Sequence, residues 1–205
     1  NLRWNIPIRV FLESGIPLFF DILIQMRKIS YENVPSAISS GSASLALIYA
    51  LLMLQFIFQT LMHLKNENLK DKHTEDSVGT LYEGLIMKKD QPSSKYYYLL
   101  LLFRGMLLVF MVTFVDFFPM MQITSMVIFN FIFFWYCCTK IEFESRYITL
   151  TTRTKEGLIL LAEVFIMMLN HQGMTELFRD TIGWVIIGMF GIVLAMETIY
   201  GFYLQ

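Results

Sequence analysis

The sequence predicts an all-α fold, a polytopic transmembrane helical bundle of six helices, or of five helices and one that lies in the membrane interface. Hydrophobic residues make up 56% of the 205 residues and charged residues only 16%, whereas about 25% of residues are charged in an average soluble protein. The apolar residues are concentrated in runs about as long as a bilayer core requires. Most charges lie between these runs, which excludes an ordinary soluble domain.

The first apolar segment, Ile8 to Met26, differs from the others because it carries a polar stripe. Its polar residues recur at helical spacing and share one face; they are Arg9, Glu13, Asp21 and Gln25. Such a helix either crosses the membrane with this face towards the bundle interior or lies in the interface. Gly15 and Pro17 predict a kink within it.

Five further runs predict membrane helices: Ser42 to Met62, Tyr96 to Phe114, Pro119 to Cys138, Gly157 to Asn170 and Ile182 to Phe202. Only residues 115–118 separate the third helix from the fourth, and Pro119 suits the first position of a helix. A connection this short predicts an antiparallel hairpin. The link 171–181 before the last helix is too short for a re-entrant pore helix and filter.

The distribution of Lys and Arg predicts the orientation of the bundle. Twelve of these 16 residues fall near the start of the chain and in the loops 63–95 and 139–156, which share one side if there are six crossings. The positive-inside rule makes that side cytoplasmic, so residues 63–95 are expected to form a cytoplasmic loop. Residues 1–205 are expected to form a single membrane domain and, since the chain begins at Asn1, to be part of a longer protein.

Arg104 lies near the middle of the third apolar run, where an unpaired arginine costs about 3 kcal/mol or more. Four other polar residues fall within about one helical turn of the same depth; they are Glu163, Glu197, Glu13 and Gln55. One interpretation is an ion or proton pathway, and the other is a buried ion pair that fixes helix order and register. In both, Arg104 is expected to pair with a carboxylate, with Glu163 preferred over Glu197.

Two smaller features concern helix packing and modification. Gly188, Gly191 and Ala195 fall on one face of the last helix and predict the close approach of another helix. Cys137 and Cys138 are adjacent at the end of a membrane run. They are either candidate sites of lipidation or small residues packed into the helix end.

The sequence contains no nucleotide-binding glycine motif, no metal-ligand spacing and no Ser/His/Asp set. We therefore expect no enzymatic activity, no cofactor and no metal. It has no basic tract for nucleic acid. The expected partners are membrane lipids and either other membrane subunits or further copies of the same chain.

Several short motifs are similar to those of one known group of proteins. They are Ile6 to Glu13, Thr80 to Leu85, Arg104, Met121 to Ile123, and the pair Ala162-Glu163. With them the chain resembles the C-terminal membrane region of large protist surface proteins of the transient-receptor-potential-like type. The resemblance implies a multi-spanning bundle that follows a large extracellular part, and kinship with channels. The loop Lys140 to Arg146 departs from it, because it lacks the proline that such proteins often carry there.

The function expected from these observations is that of a multi-pass membrane domain of a channel-like or transporter-like surface protein. The alternative is structural, either a membrane anchor or an accessory subunit of a large assembly at the cell surface or in an organelle. A hydrated cavity at the polar layer would favour transport, and a dry, fully paired layer would favour the structural role. The plasma or ciliary membrane is expected in preference to an organellar inner membrane.

Overall fold

The computed structural model describes residues 5–29, 33–63, 78–86, 92–115, 118–169 and 175–203. Within these ranges the protein has no β-strand and six α-helices, which confirms the predicted fold class. The helices are α1 (Asn5–Arg27), α2 (Val34–His63), α3 (Tyr97–Phe114), α4 (Pro119–Lys140), α5 (Arg146–Leu169) and α6 (Glu176–Tyr203). Two 3-10 turns, Gly79–Leu81 and Pro92–Tyr96, lie between α2 and α3.

Four of the helices are long and apolar enough to cross a membrane, which indicates a membrane-embedded protein. They are α2, α4, the stretch Ser93–Phe114 that contains α3, and α6 over Glu176–Met196. The described parts of α1 and α5 do not meet the same standard of length and composition. In α1 the cause is the polar stripe, and in α5 it is the charged first half. For these two helices, membrane crossing stays a prediction.

Helices α2 and α5 begin well before the apolar runs that predict them. Helix α5 begins at Arg146 and α2 at Val34, whereas the runs begin at Gly157 and Ser42. Hydroxyl side chains in these extensions bond to the backbone of the preceding turn. The hydroxyl of Ser36, for example, donates to the backbone oxygen of Asn33 at 2.8 Å. Hydropathy marks only the apolar part of a helix and therefore misses such ends.

The chain divides into two compact units, Asn1–Phe117 and Phe118–Gln205. The first contains α1, α2 and α3, and the second contains α4, α5 and α6. The hairpin predicted for α3 and α4 would join the two units, and residues 116–117 lie outside the described ranges. It therefore stays a prediction.

In the first unit, α1 and α2 pack side by side in opposite directions. Near one end, the hydroxyl of Ser39 donates to the side-chain oxygen of Gln25 at 3.1 Å. Further along, the rings of Phe11 and Tyr49 meet edge to face with their centroids 6.5 Å apart. Their shared core also takes in α3 and residues 78–81; its buried members are Ile8, Phe11, Ala50, Met53, Ile57, Leu61, Val78, Leu81, Leu102 and Met106.

Helices α1 and α3 run parallel and approach closely at two glycines. A Cβ atom added to Gly15 would lie 3.1 Å from Leu102, and one added to Gly105 would lie 2.8 Å from Cγ1 of Ile16. Pro17 lies within α1, which continues through it as one helix. At the far end, Arg27 reaches the backbone of Thr113. Helix α1 therefore follows α3 along its length, and its crossing of the membrane stays a prediction.

In the second unit, α4 and α5 are antiparallel neighbours, and α6 packs against α5. A Cβ atom added to Gly157 on α5 would lie 3.3 Å from the Phe134 ring on α4. At the middle of α4 and in the last third of α5, Asn130 contacts Glu163. Helix α5 thus lies alongside α4, and its crossing of the membrane stays a prediction.

The close approach of α1 to α3 predicts a specific sensitivity at Gly105. In Gly105→Ala, the new methyl group would collide with Ile16, whose β-branched side chain has few alternative rotamers. We expect a loss of about 1–3 kcal/mol of stability, measured as a lower melting temperature in detergent. The matched control is Gly183→Ala, where no described atom lies within 4 Å of the added Cβ.

A second substitution tests whether this contact is the cause. Ile16→Ala should cost stability alone but should remove most of the additional loss caused by Gly105→Ala. Purely additive losses in the double variant would show that the two helices do not meet at this point.

Candidate functional site: polar contacts of the membrane helices

The central polar contact of the second unit joins Asn130 on α4 to Glu163 on α5. The side-chain amide nitrogen of Asn130 donates to Oε1 of Glu163. Asn130 is buried and Glu163 is half-buried. Asn130 lies at the middle of α4, about as far from Pro119 as from Lys140. A carboxylate and an amide therefore meet between two packed helices, at the middle of α4 and in the last third of α5.

Asn130 was not among the residues that the sequence predicted for the polar layer. A signal was present, because Asn130 is an amide in the middle of an otherwise apolar run. Its depth also matches that of Glu163 when residues are counted from the loop between α4 and α5.

The structure gives different surroundings to the other residues of the predicted layer. Glu13 and Gln55 are exposed, so neither faces the core of the first unit. Arg104 is half-buried on α3, beside the close approach at Gly105. Glu197 lies on α6, but its side chain is outside the described part of the structure. Pairing of Arg104 with Glu163 or Glu197 would join the two units and stays a prediction.

Two arginines donate hydrogen bonds to backbone oxygens near the C-terminal end of a neighbouring helix. In the first unit, Nη1 of Arg27 donates to the oxygen of Thr113, at 3.0 Å. In the second, Arg153 donates to the oxygen of Ile141 at 2.9 Å and to that of Cys137 at 3.4 Å. The last carbonyls of a helix have no partner within it, and a cation also suits the helix dipole there. Each arginine therefore caps a helix other than its own.

The start of α1 is tied to the segment before α3 by three polar contacts. The side-chain oxygen of Asn5 accepts hydrogen bonds from the backbone nitrogen and hydroxyl of Thr80, at 3.2 and 3.0 Å. Arg9 forms an ion pair with Glu83 at 2.6 Å. The hydroxyl of Tyr98 on α3 donates to the backbone oxygen of Glu83 at 2.9 Å. The start of α1, residues 80–83 and the start of α3 therefore lie together.

Residues 78–85, at this junction, are also held by apolar packing. Val78, Leu81 and Leu85 are all buried, and the chain then turns at Gly84, whose φ of 74° favours glycine. Two of the motifs that carry the family resemblance, Ile6 to Glu13 and Thr80 to Leu85, meet here. The sequence did not predict that contact, because the two motifs are about seventy positions apart in the sequence.

The predicted packing face of α6 has no neighbour within the described residues. A Cβ atom added to Gly188 or Gly191 would meet no described atom within 4 Å, and Ala195 is exposed. Packing by this face therefore stays a prediction. For the cysteines, Cys137 is buried, so its thiol is inaccessible to acylation in this conformation, whereas Cys138 is partly exposed.

Neither a comparison with known proteins nor a cluster of metal-ligating side chains assigns a function to these contacts. No protein-family description matches the chain, and neither does any curated protein or solved structure. Among the described residues, no group of three or more His, Cys, Asp and Glu side chains is placed to hold a metal ion. The polar contacts themselves are thus the basis for a functional proposal.

The arginine caps predict that Arg153 matters more than the exposed ion pair of Arg9. Arg153→Gln should lower stability by about 1.5–3 kcal/mol, because hydrogen bonds from a charged donor to two helix-end carbonyls are lost. Arg9→Gln should cost less than about 1 kcal/mol, since its side chain is 55% exposed and exposed pairs contribute little. Thermal unfolding of both variants in the same detergent provides the measurement. Equal losses would contradict the assigned role of Arg153.

Proposed function

We propose that this chain is a multi-pass membrane domain of a larger membrane protein, and that its buried polar side chains hold the helices together. Helices α2, α3, α4 and α6 have the length and composition to cross a membrane. Helices α1 and α5 pack lengthwise against α3 and α4, respectively, and we infer that each crosses with its neighbour. The proposed domain therefore has six crossings and acts as an anchor.

The observation that carries this proposal is the hydrogen bond between Asn130 and Glu163. A polar side chain in hydrocarbon is costly, so each partner favours the arrangement that contains the other. Hydrogen bonds between membrane helices contribute about 0.6–2 kcal/mol, enough to select one register of α4 on α5. A permeation path would require water at this carboxylate, whereas Oε2 of Glu163 is enclosed. The contact therefore suits a tether between helices.

The structural role can be tested with apolar substitutions at the two partners. Asn130→Leu and Glu163→Leu should each lower the melting temperature of the purified chain, because each leaves the other polar group in an apolar surrounding. The double variant should recover most of this loss. Glu163→Gln should stay close to the unsubstituted chain, since its amide can still bond to Asn130. The control is Gln55→Leu, at an exposed polar position.

The same proteins should be reconstituted into vesicles and tested for proton and cation flux. The anchor proposal predicts no flux above that of protein-free vesicles for any of them. Flux through the unsubstituted chain that disappears in a folded Glu163→Gln variant would overturn it. So would single variants as stable as Gln55→Leu.

A second candidate function is transport, as expected for a channel-like or transporter-like surface protein. It is favoured by Arg104, which is half-buried within a membrane-length apolar helix, and by the resemblance to transient-receptor-potential-like surface proteins. Under this proposal, Arg104→Leu combined with Glu163→Leu should fold but abolish flux. Under the anchor proposal, the same pair should be no more stable than Glu163→Leu alone, because Asn130 still lacks its partner.

Six crossings also predict which loops share a side of the membrane. Cysteines introduced at Asn68, which lies outside the described residues, and at Ser145 should both react with an impermeant maleimide from the same side. The measurement requires a background in which Cys137 and Cys138 are replaced by Ser. Labelling from opposite sides would contradict the count of six.

The positive-inside rule makes the side that carries both loops cytoplasmic. We propose the plasma or ciliary membrane as the location, on the strength of the resemblance. The proposed partners are lipids, the remainder of a longer chain, and either other membrane subunits or further copies that pack on Gly188 and Gly191.

A further inference from the structure

Glu83 connects the start of α1 to the start of α3. Its carboxylate forms the ion pair with Arg9 on α1, and its backbone oxygen accepts the hydrogen bond from the hydroxyl of Tyr98 on α3. Three residues earlier, Thr80 donates two hydrogen bonds to the side chain of Asn5, at the first position of α1. One short segment therefore bonds to the starts of two parallel helices.

Residues 78–86, which we call the latch, are folded so that Glu83 can make both contacts. Leu81 is completely buried, in the same core as Ile8 of α1. After Glu83 the chain turns at Gly84, whose φ of 74° is a conformation that residues with a Cβ adopt only at a cost. The bonding of the latch thus depends on this turn as well as on its side chains.

Helix α1 lies between α2 and α3, which have few contacts with each other. At the far end of α1, Arg27 donates to the backbone oxygen of Thr113, near the end of α3. Between the two ends, Ile16 packs over Gly105. Lipid tails are as apolar as these side chains, so apolar burial alone favours the contact of α1 with α3 only weakly. The polar contacts at the two ends therefore contribute much of the attraction between the two helices.

We propose that the latch is a conformational switch: when it opens, the start of α1 moves away from α3, while the far end stays attached through Arg27. The structure shows the closed form. The proposal rests on the membrane domain of the proposed function, since α1 depends on polar contacts to this extent only in hydrocarbon. It adds a moving part, because opening the latch changes the position of one helix and leaves the rest of the first unit folded.

The test measures the distance between α1 and α3 at both ends of their contact. Pairs of spin labels are placed at exposed positions of the full chain, with both cysteines replaced by Ser, in phosphatidylcholine vesicles. Val10 and Leu100 report on the latch end, and Lys28 and Phe114 report on the far end. Double electron–electron resonance should give one dominant distance for each pair in the chain that carries no further substitution.

Gly84→Ala strains the turn of the latch without a collision, because no described atom lies within 4 Å of the added Cβ. We expect a second, longer distance at the latch end, with a population about tenfold higher than in the chain with Gly84. The far-end pair should keep its single distance. The matched control is Gly41→Ala on α2, which also meets no described atom and whose φ is not positive. It should leave both distances unchanged.

A second pair of variants opens the latch by removing its bonds. Asn5→Ala removes the acceptor of both hydrogen bonds from Thr80, and it should raise the population of the longer latch-end distance by about tenfold. Thr80→Val should have a smaller effect, because its backbone nitrogen still donates to Asn5.

Two results would overturn the switch. One is a single latch-end distance in both Gly84→Ala and Asn5→Ala. The other is an equal change at the latch end and the far end, because the latch would then contribute only to general stability. The count of six crossings is tested separately by the maleimide labelling of the two loops. Labelling from opposite sides would contradict that count, whereas a second distance confined to the latch end would still support the switch.

Discussion

Polar groups inside a bilayer have no water to bond to, so each must find its partner within the protein. In the second unit this constraint brings Asn130, at the middle of α4, against Glu163 on α5. At helix ends it brings Arg27 to the carbonyl of Thr113 and Arg153 to carbonyls of α4. In every case the donor and acceptor belong to different helices. Satisfying polar groups therefore also determines which helices are neighbours, and in which direction they run.

Apolar packing adds a requirement that neighbouring helices fit one another in shape. Lipid tails are as apolar as leucine side chains, so burial of apolar surface alone does not favour one helix pair over another. The fit of Ile16 over Gly105 distinguishes the α1–α3 contact, because a larger residue at Gly105 would separate the helices. At the junction before α3, buried Leu81 and the bonds to Asn5 fix the loop against two helix starts. Shape and polar pairing thus specify the first unit jointly.

The apolar runs predicted the six helices because hydropathy measures what a bilayer selects. They failed at helix ends, where polar residues continue the helix outside the hydrocarbon. They also missed Asn130, since an amide interrupts an apolar run less strongly than a charged residue does, although its depth matched that of Glu163. The tight contact at Gly105 was not predicted either, because its partner Ile16 is distant in sequence and single glycines carry no pattern. The pairing of Arg104 depends on how the two units meet, which helix periodicity does not determine.

The parallel packing of α1 on α3 has a consequence for the biogenesis of the protein. Helix α1 carries Arg9, Glu13, Asp21 and Arg27, and a charged residue at the centre of a lone membrane helix disfavours insertion by about 2.5–3.5 kcal/mol. Helix α3 ends at Phe114, so at about 5–20 residues per second the ribosome completes it roughly 4–17 s after α1. During that interval α3 is not yet available to pack against Gly15 of α1. Under the proposed six crossings, the stable integration of α1 would therefore be a late event, which would make the nascent chain dependent on the insertion machinery until α3 arrives.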